Sequence, residues 1–127
     1  MKYIIDAYAW IEYLEGSNLG SKVREIILGE DEIFSLNLTI AEVVSKVKRK
    51  KGNPELAFNA IKTNSKILEI TPEIAKKAGL FHAEKREKTK NFGLVDSLIL
   101  ILARELKAKI LTGDEHFREF KEAIFIK

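Results

Sequence analysis

The chain has 127 residues, 46% of them hydrophobic, no cysteine, and a formal net charge of +3 from 22 Lys and Arg against 19 Asp and Glu. That length suits one domain that buries about two-thirds of the surface its unfolded chain exposes, and the lack of cysteine excludes disulfides, thiolate metal sites and a cysteine nucleophile. No run approaches the roughly 20 apolar residues of a membrane span, and the N-terminus leads straight into a strand without a signal-peptide layout, so a cytoplasmic protein with no membrane partner is expected.

Lys2-Tyr3-Ile4-Ile5-Asp6 opens the chain as an apolar run rich in β-branched and aromatic residues and too short for a helix. The period turns helical from Ala7 to Leu14, which predicts a buried central strand with Asp6 at its carboxyl edge, where open α/β sheets bind their ligands. After the turn Gly16-Ser17-Asn18, the residues Leu19, Val23, Ile26 and Ile27 give a second helix its stripe up to Gly29. Residues 32–37 read as the second strand, and Thr39-Ile40-Ala41-Glu42 opens a helix that ends in the basic run Lys46-Val47-Lys48-Arg49-Lys50-Lys51. Asn53 caps the next helix and Pro54 begins it, with Leu56, Ala57, Ala60 and Ile61 as its buried side. A third strand over 66–70 is followed by Thr71-Pro72, again a cap and an N1 proline, and by a helix through Ala78, Leu80 and Phe81. Residues 94–106 are apolar almost all round, as in a helix buried on most sides. Residues 109–112 form the fourth strand, Gly113-Asp114 a turn, 115–120 a short helix and 123–126 the last strand. Strands alternating with helices predict a single three-layer α/β/α domain over residues 1–127.

Asp6, Glu42, Asp96 and Asp114 all fall at or just inside a predicted helix start. Capping alone explains each of them: Asp6 and Asp114 as N-caps, Thr39-x-x-Glu42 as a capping box, and Asp96 as a first-turn anion favoured by the helix dipole. Topology sets a second use beside the first. In a parallel sheet the junctions after strands one, two and four leave on one edge, and the helix that begins near Asp96 must descend from that edge to deliver strand four. Four carboxylates then surround one cleft, where they repel one another unless a cation lies among them. Hard oxygen ligands select Mg²⁺ or Mn²⁺, and such a site supports hydrolysis of a phosphodiester.

The same elements resemble, over essentially the whole chain, the PIN-domain family of metal-dependent nucleases, and in particular the VapC-type toxins of toxin-antitoxin pairs. The resemblance rests on Ile4-Ile5-Asp6 with Ala9-Trp10-Ile11, on Leu38-Thr39-Ile40-Ala41-Glu42-Val43, on Gly93-Leu94-Val95-Asp96-Ser97, and on Ile110-Leu111-Thr112-Gly113-Asp114-Glu115-His116-Phe117. It implies a five-stranded parallel sheet of order 3-2-1-4-5, a Mg²⁺-dependent endoribonuclease, a homodimer, and a cognate antitoxin that occludes the site. Asp6, Glu42, Asp96 and Asp114 match the family's acidic quartet, and Thr112 matches the hydroxyl residue before its last acid. One departure is Ala7-Tyr8 after Asp6, where many members carry small hydroxyl or amide residues.

Lys48, Arg49 and Lys50 are expected to hold RNA phosphates, with a solvated helix end as the plain alternative. His116 is expected at the rim, touching a substrate phosphate, or else simply on the surface. Trp10, Tyr13 and Phe81 read as core or dimer contacts, and neither histidine has a nucleophile beside it in sequence. A receiver domain needs a phosphorylatable Asp after strand three, where this chain has Ile70-Thr71-Pro72, and an Asp-x-Asp phosphatase is disfavoured by Tyr8. The competing reading is a PIN-like RNA-processing or RNA-binding module with weak or lost cleavage.

Overall fold

The computed structural model describes residues 1–127. Its strands are β1 (Lys2–Ile5), β2 (Glu32–Leu36), β3 (Lys66–Leu68), β4 (Lys109–Thr112) and β5 (Ala123–Phe125), and its helices α1 (Ala7–Glu15), α2 (Asn18–Leu28), α3 (Asn37–Arg49), α4 (Pro54–Asn64), α5 (Pro72–Arg86) and α6 (Leu94–Leu106). The five strands make one sheet in the order β3-β2-β1-β4-β5, every pairing parallel, the order that the family resemblance implies.

Successive residues of a strand point to opposite faces, so a strand apolar at every position needs cover on both. Tyr3 and Ile5 pack with Trp10, Val23, Val43 and Ile61 from α1 to α4, whereas Ile4 packs with Leu100 and Ala103 of α6 on the other side. Trp10 is fully buried, and its indole N–H donates to Ser35 Oγ over 2.9 Å, which satisfies the one polar group the ring carries into the core. Phe81 joins Phe92 and Phe120 in an aromatic cluster under α5, with His82 stacked on Phe92 and held by its carbonyl.

The structure differs from the sequence expectations at four places. Helix α3 begins at Asn37, two residues before Thr39, and its cap residue Leu36 offers no side-chain acceptor, so the Thr39/Glu42 capping box does not form. Thr39 and Val43, four residues apart, are the buried face of α3, and the demand for that face in the core sets the helix phase over the local capping signal. Likewise Ala57 and Ile61 form the buried stripe of α4, which leaves Leu56 58% exposed, and Leu80 on α5 is 59% exposed beside buried Ala78. The edge strands β3 and β5 stop at Leu68 and Phe125, short of residues 70 and 126, and a single 3₁₀ turn, Glu115–Phe117, replaces the short helix expected over 115–120.

Candidate active site

The register of the two central strands builds the site. Ile4 pairs with Ile110 and Ile5 with Leu111, and the Asp6 N–H donates to the Leu111 carbonyl at 3.2 Å, so the ladder continues one residue beyond β1. Asp6 and Thr112 are thereby brought side by side at the carboxyl edge. Asp6 is the N-cap of α1, with Oδ1 accepting the Ala9 N–H at 2.9 Å, while the Thr112 hydroxyl donates to Oδ2. Thr112 Oγ1 in turn accepts the Asp114 N–H at 2.9 Å. A hydroxyl has one proton, and here it is committed to Asp6, so Thr112 ties the Asp6 carboxylate to the backbone of Asp114.

The other acids converge from different segments. Asp96, at the start of α6, accepts the Gly93 N–H at 3.2 Å through Oδ2, and Asp114 caps the 3₁₀ turn by accepting the His116 N–H at 2.9 Å. The His116 ring turns inward, its Nδ1 lying 3.1 Å from Asp96 Oδ2 and 3.4 Å from Asp114 Oδ1. Glu42 lies in the second turn of α3, exposed and without a capping role, within electrostatic reach of Asp96 and Asp114. Capping and clustering therefore coexist. Each capping bond uses one acceptor site of a carboxylate that has about four, so it fixes the orientation of Asp6, Asp96 and Asp114 without exhausting them as ligands.

Proton affinities register the crowding. Asp6 is 4% exposed, and burial pushes its carboxyl up to about 7 against the opposing hydrogen bonds from Thr112 and Ala9, with the charges of Asp114 and Asp96 adding to the rise. Asp96 is raised by burial and by Asp114, against the pull of Gly93 and His116, and Glu42 is raised by partial desolvation and then by Asp96 and Asp114. A divalent cation fits this donor set. It would supply the positive charge that the cluster lacks, and Asp96, Asp114 and His116 already offer ligand atoms within 4.8 Å of one another.

The basic run divides by helical phase. Arg49 follows Glu42 by seven residues and shares its face, as do Ser45 and Lys46; these four line a groove of about 540 Å³ together with Ala7, Tyr8, Ile11 and Ala41. Lys50 pairs with Glu15 at 2.8 Å and lines an adjoining pocket with Tyr8, Ile11 and Lys46 instead of this groove, and Lys48 lies outside the groove. Lys46 was legible in the sequence as the residue four beyond Glu42, a spacing that places both on one side of a helix. Tyr8 packs its ring over Gly113, where a Cβ would come within 2.3 Å of it, and Lys127 Nζ lies 5.2 Å from the ring centre. The Ala7-Tyr8 departure thus gives the groove an aromatic wall; the phenol makes no hydrogen bond to the acids.

A family model, that of the PIN domain, matches residues 3–123, and the chain belongs to the PIN-domain family. Among solved structures, the chain is similar to a toxin-antitoxin complex from Klebsiella pneumoniae, with a TM-score of 0.74 at 18% identity over 98% of each chain. VapBC2 from Rickettsia felis, bound to a DNA fragment from its promoter, gives 0.75 at 17% over 98% of this chain and 97% of that one. VapC20 from Mycobacterium tuberculosis, a sarcin-ricin loop cleaving toxin, gives 0.75 at 16% over 91% and 92%. At these identities the likeness concerns the fold. No curated protein sequence matches the chain.

The Thr112 link has a measurable consequence. Thr112→Val keeps the shape of the side chain but removes the donor to Asp6 and the acceptor for the Asp114 N–H. Metal affinity is expected to fall about 10- to 100-fold, the usual effect of losing a partner that orients a ligand. Calorimetric titration of wild type and variant with Mn²⁺ checks it, and equal affinities would show that Thr112 only stabilises the strand end.

Proposed function

We propose that this protein is an endoribonuclease that needs Mg²⁺ or Mn²⁺ and serves as the toxin of a toxin-antitoxin pair. The proposal rests above all on the convergence of Asp6, Glu42, Asp96 and Asp114 from four separate segments onto one sheet edge, with three of them held in place by backbone N–H groups. Asp6, Glu42, Asp96 and Asp114 would hold the cation, which when bound would lower the pKa of a water ligand and place positive charge opposite the phosphate. The chain's own contribution is geometric and electrostatic. Thr112 keeps Asp6 turned toward the cluster, and the cap bonds spare the acids any reorganisation when substrate arrives. Lys46 and Arg49 offer positive charge along the groove beside Glu42, suited to phosphates flanking the one that reacts. Tyr8 presents a partly exposed ring on the same wall, against which an unpaired base can stack.

The toxin role draws on the relatives. The similar structures from Klebsiella pneumoniae and nontypeable Haemophilus influenzae are a toxin-antitoxin complex and a VapBC assembly, and VapC20 is a toxin that cleaves the sarcin-ricin loop. An antitoxin encoded beside this chain and a homodimer belong to the same reading. The alternative, an RNA-binding module with weak or lost cleavage, is favoured by Tyr8 standing where a small hydroxyl would help to orient a water; the complete acidic quartet speaks for cleavage. No helix is long and apolar enough to cross a membrane.

Incubating the protein with structured and unstructured RNA, with Mg²⁺, Mn²⁺ or EDTA, tests the proposal. Cleavage that requires metal supports it, and metal-independent cleavage or none overturns it. The groove supplies a separate expectation. Lys46→Glu with Arg49→Glu should weaken RNA binding and flatten its salt dependence, by about 0.7 in log-log slope for each phosphate no longer neutralised. Reversing Lys48 and Lys50 should change the slope far less, because neither residue lines the groove. Binding measured at several salt concentrations decides between the pairs, and equal slopes for both would show that the run acts only as a diffuse charge.

A further inference from the structure

We propose that His116 is a ligand of the divalent cation and that its imidazole gives the site a preference for Mn²⁺ and Co²⁺ over Mg²⁺. This rests on the metal-site part of the proposed function and not on RNA cleavage.

Two donors bound at right angles to one cation at about 2.1 Å lie about 3 Å apart. His116 Nδ1 already stands 3.1 Å from Asp96 Oδ2 and 3.4 Å from Asp114 Oδ1, which is the spacing of adjacent ligands on one ion. That position is built into the fold. Asp114 accepts the His116 N–H, which fixes the backbone, and Phe117, fully buried, anchors the 3₁₀ turn in the core. The His116 side chain remains 37% exposed, so a cation can reach the three donors without unfolding the turn.

Chemistry then sets the preference. A site of carboxylates alone favours hard cations, whereas imidazole is a borderline ligand that binds first-row transition ions better than Mg²⁺. Adding one imidazole to the carboxylates raises affinity along the series from Mn²⁺ to Co²⁺ while giving little to Mg²⁺. Two other roles are compatible with the same distances and make different predictions. If His116 is only a hydrogen-bond donor standing in for the cation, removing it vacates the site and strengthens every divalent ion alike. If it contacts only the substrate, removing it leaves metal binding untouched and raises KM.

The experiment is calorimetric titration of the metal-free full-length protein, without RNA, with MgCl₂, MnCl₂ and CoCl₂ at one fixed pH, for wild type, His116→Ala and His116→Gln. The visible absorption of bound Co²⁺ gives a second readout that reports the ligand set directly. We expect His116→Ala to lower Co²⁺ and Mn²⁺ affinity by about 10- to 100-fold, as changes in a ligand shell do, to shift the Co²⁺ spectrum, and to change Mg²⁺ affinity much less. His116→Gln restores bulk and a hydrogen-bond donor but no imidazole, and should behave like His116→Ala. Unchanged ratios among the three ions, or a uniform gain in the variants, overturn the ligand assignment while leaving the carboxylate site standing. Failure of wild type to bind any of the three ions overturns the metal site itself. Melting curves of the metal-free variants, expected to match wild type, exclude misfolding as the cause.

Discussion

Asp96→Asn and Asp6→Asn are each expected to reduce the proposed metal-dependent RNA cleavage by at least about a thousandfold, equivalent to roughly 4 kcal/mol of lost transition-state stabilisation, while the chain stays folded. Asn keeps a carbonyl oxygen that can accept the Ala9 N–H at position 6 or the Gly93 N–H at position 96, and it ranks with Asp as an N-cap. The capping contribution therefore survives. What is lost is a negative charge in a cluster where three carboxyls have raised proton affinity, and that loss weakens cation binding but relieves repulsion. The metal-free variants should melt at or above the wild-type temperature at pH 8. Cleavage of labelled RNA and thermal melting, performed on the same preparations, separate the two effects. Variants that unfold, or that cleave at the wild-type rate, would mean that the acids serve as caps and nothing more.

Stability should run against the usual pH trend. The Asp6 carboxyl titrates near 7 in the folded chain against 3.8 as its ordinary value, so between those pH values the folded state holds a proton that the unfolded state has released. Stability therefore falls as pH rises through that window, by on the order of 4 kcal/mol for Asp6 at about 1.4 kcal/mol per unit. The upward shifts of Asp96 and Glu42 have the same sign. Metal-free protein should thus melt lower at pH 8 than at pH 5. Millimolar Mg²⁺ or Mn²⁺ should restore most of the difference at pH 8 and little at pH 5, because the ligands must give up their protons to bind. Scanning calorimetry at both pH values, with EDTA or with metal, checks this. A metal-free chain that gains stability between pH 5 and 8 would contradict a buried, unpaired Asp6.

Much of the fold was legible because β1 carries its meaning locally. Its four residues, too few for a helix and apolar on both faces from Tyr3 to Ile5, read as a central strand, and that places Asp6 at the ligand edge. Asp96 was reachable by a similar argument, since α6 is too apolar to lie anywhere but across the sheet and must start where the strands end. The α3 start was not legible. Thr39-x-x-Glu42 is a sound capping signal by itself, and it lost to the requirement that Thr39 and Val43 face the core, a condition set by the elements α3 packs against, α4, α1 and β2, rather than by the sequence around Thr39. Thr39 Oγ1 is left buried without a hydrogen-bond partner. The inward turn of His116 was also hidden, because it depends on Asp114 capping a 3₁₀ turn instead of a longer helix. For the basic run the spacing from Glu42 separates the residues by position: Lys46 and Arg49 line the groove beside Glu42, and Lys48 and Lys50 do not.

If acids from four segments form one cation site, each must report on the same ion. Titration of the metal-free protein with Mn²⁺ at pH 8, monitored by calorimetry, tests this when wild type is compared with Asp6→Asn and Asp96→Asn. The predicted result is saturable binding in wild type that each single substitution abolishes or weakens severely, although the two residues stand 90 positions apart in the chain. The contradicting result is no binding in wild type, or binding that survives both substitutions unchanged.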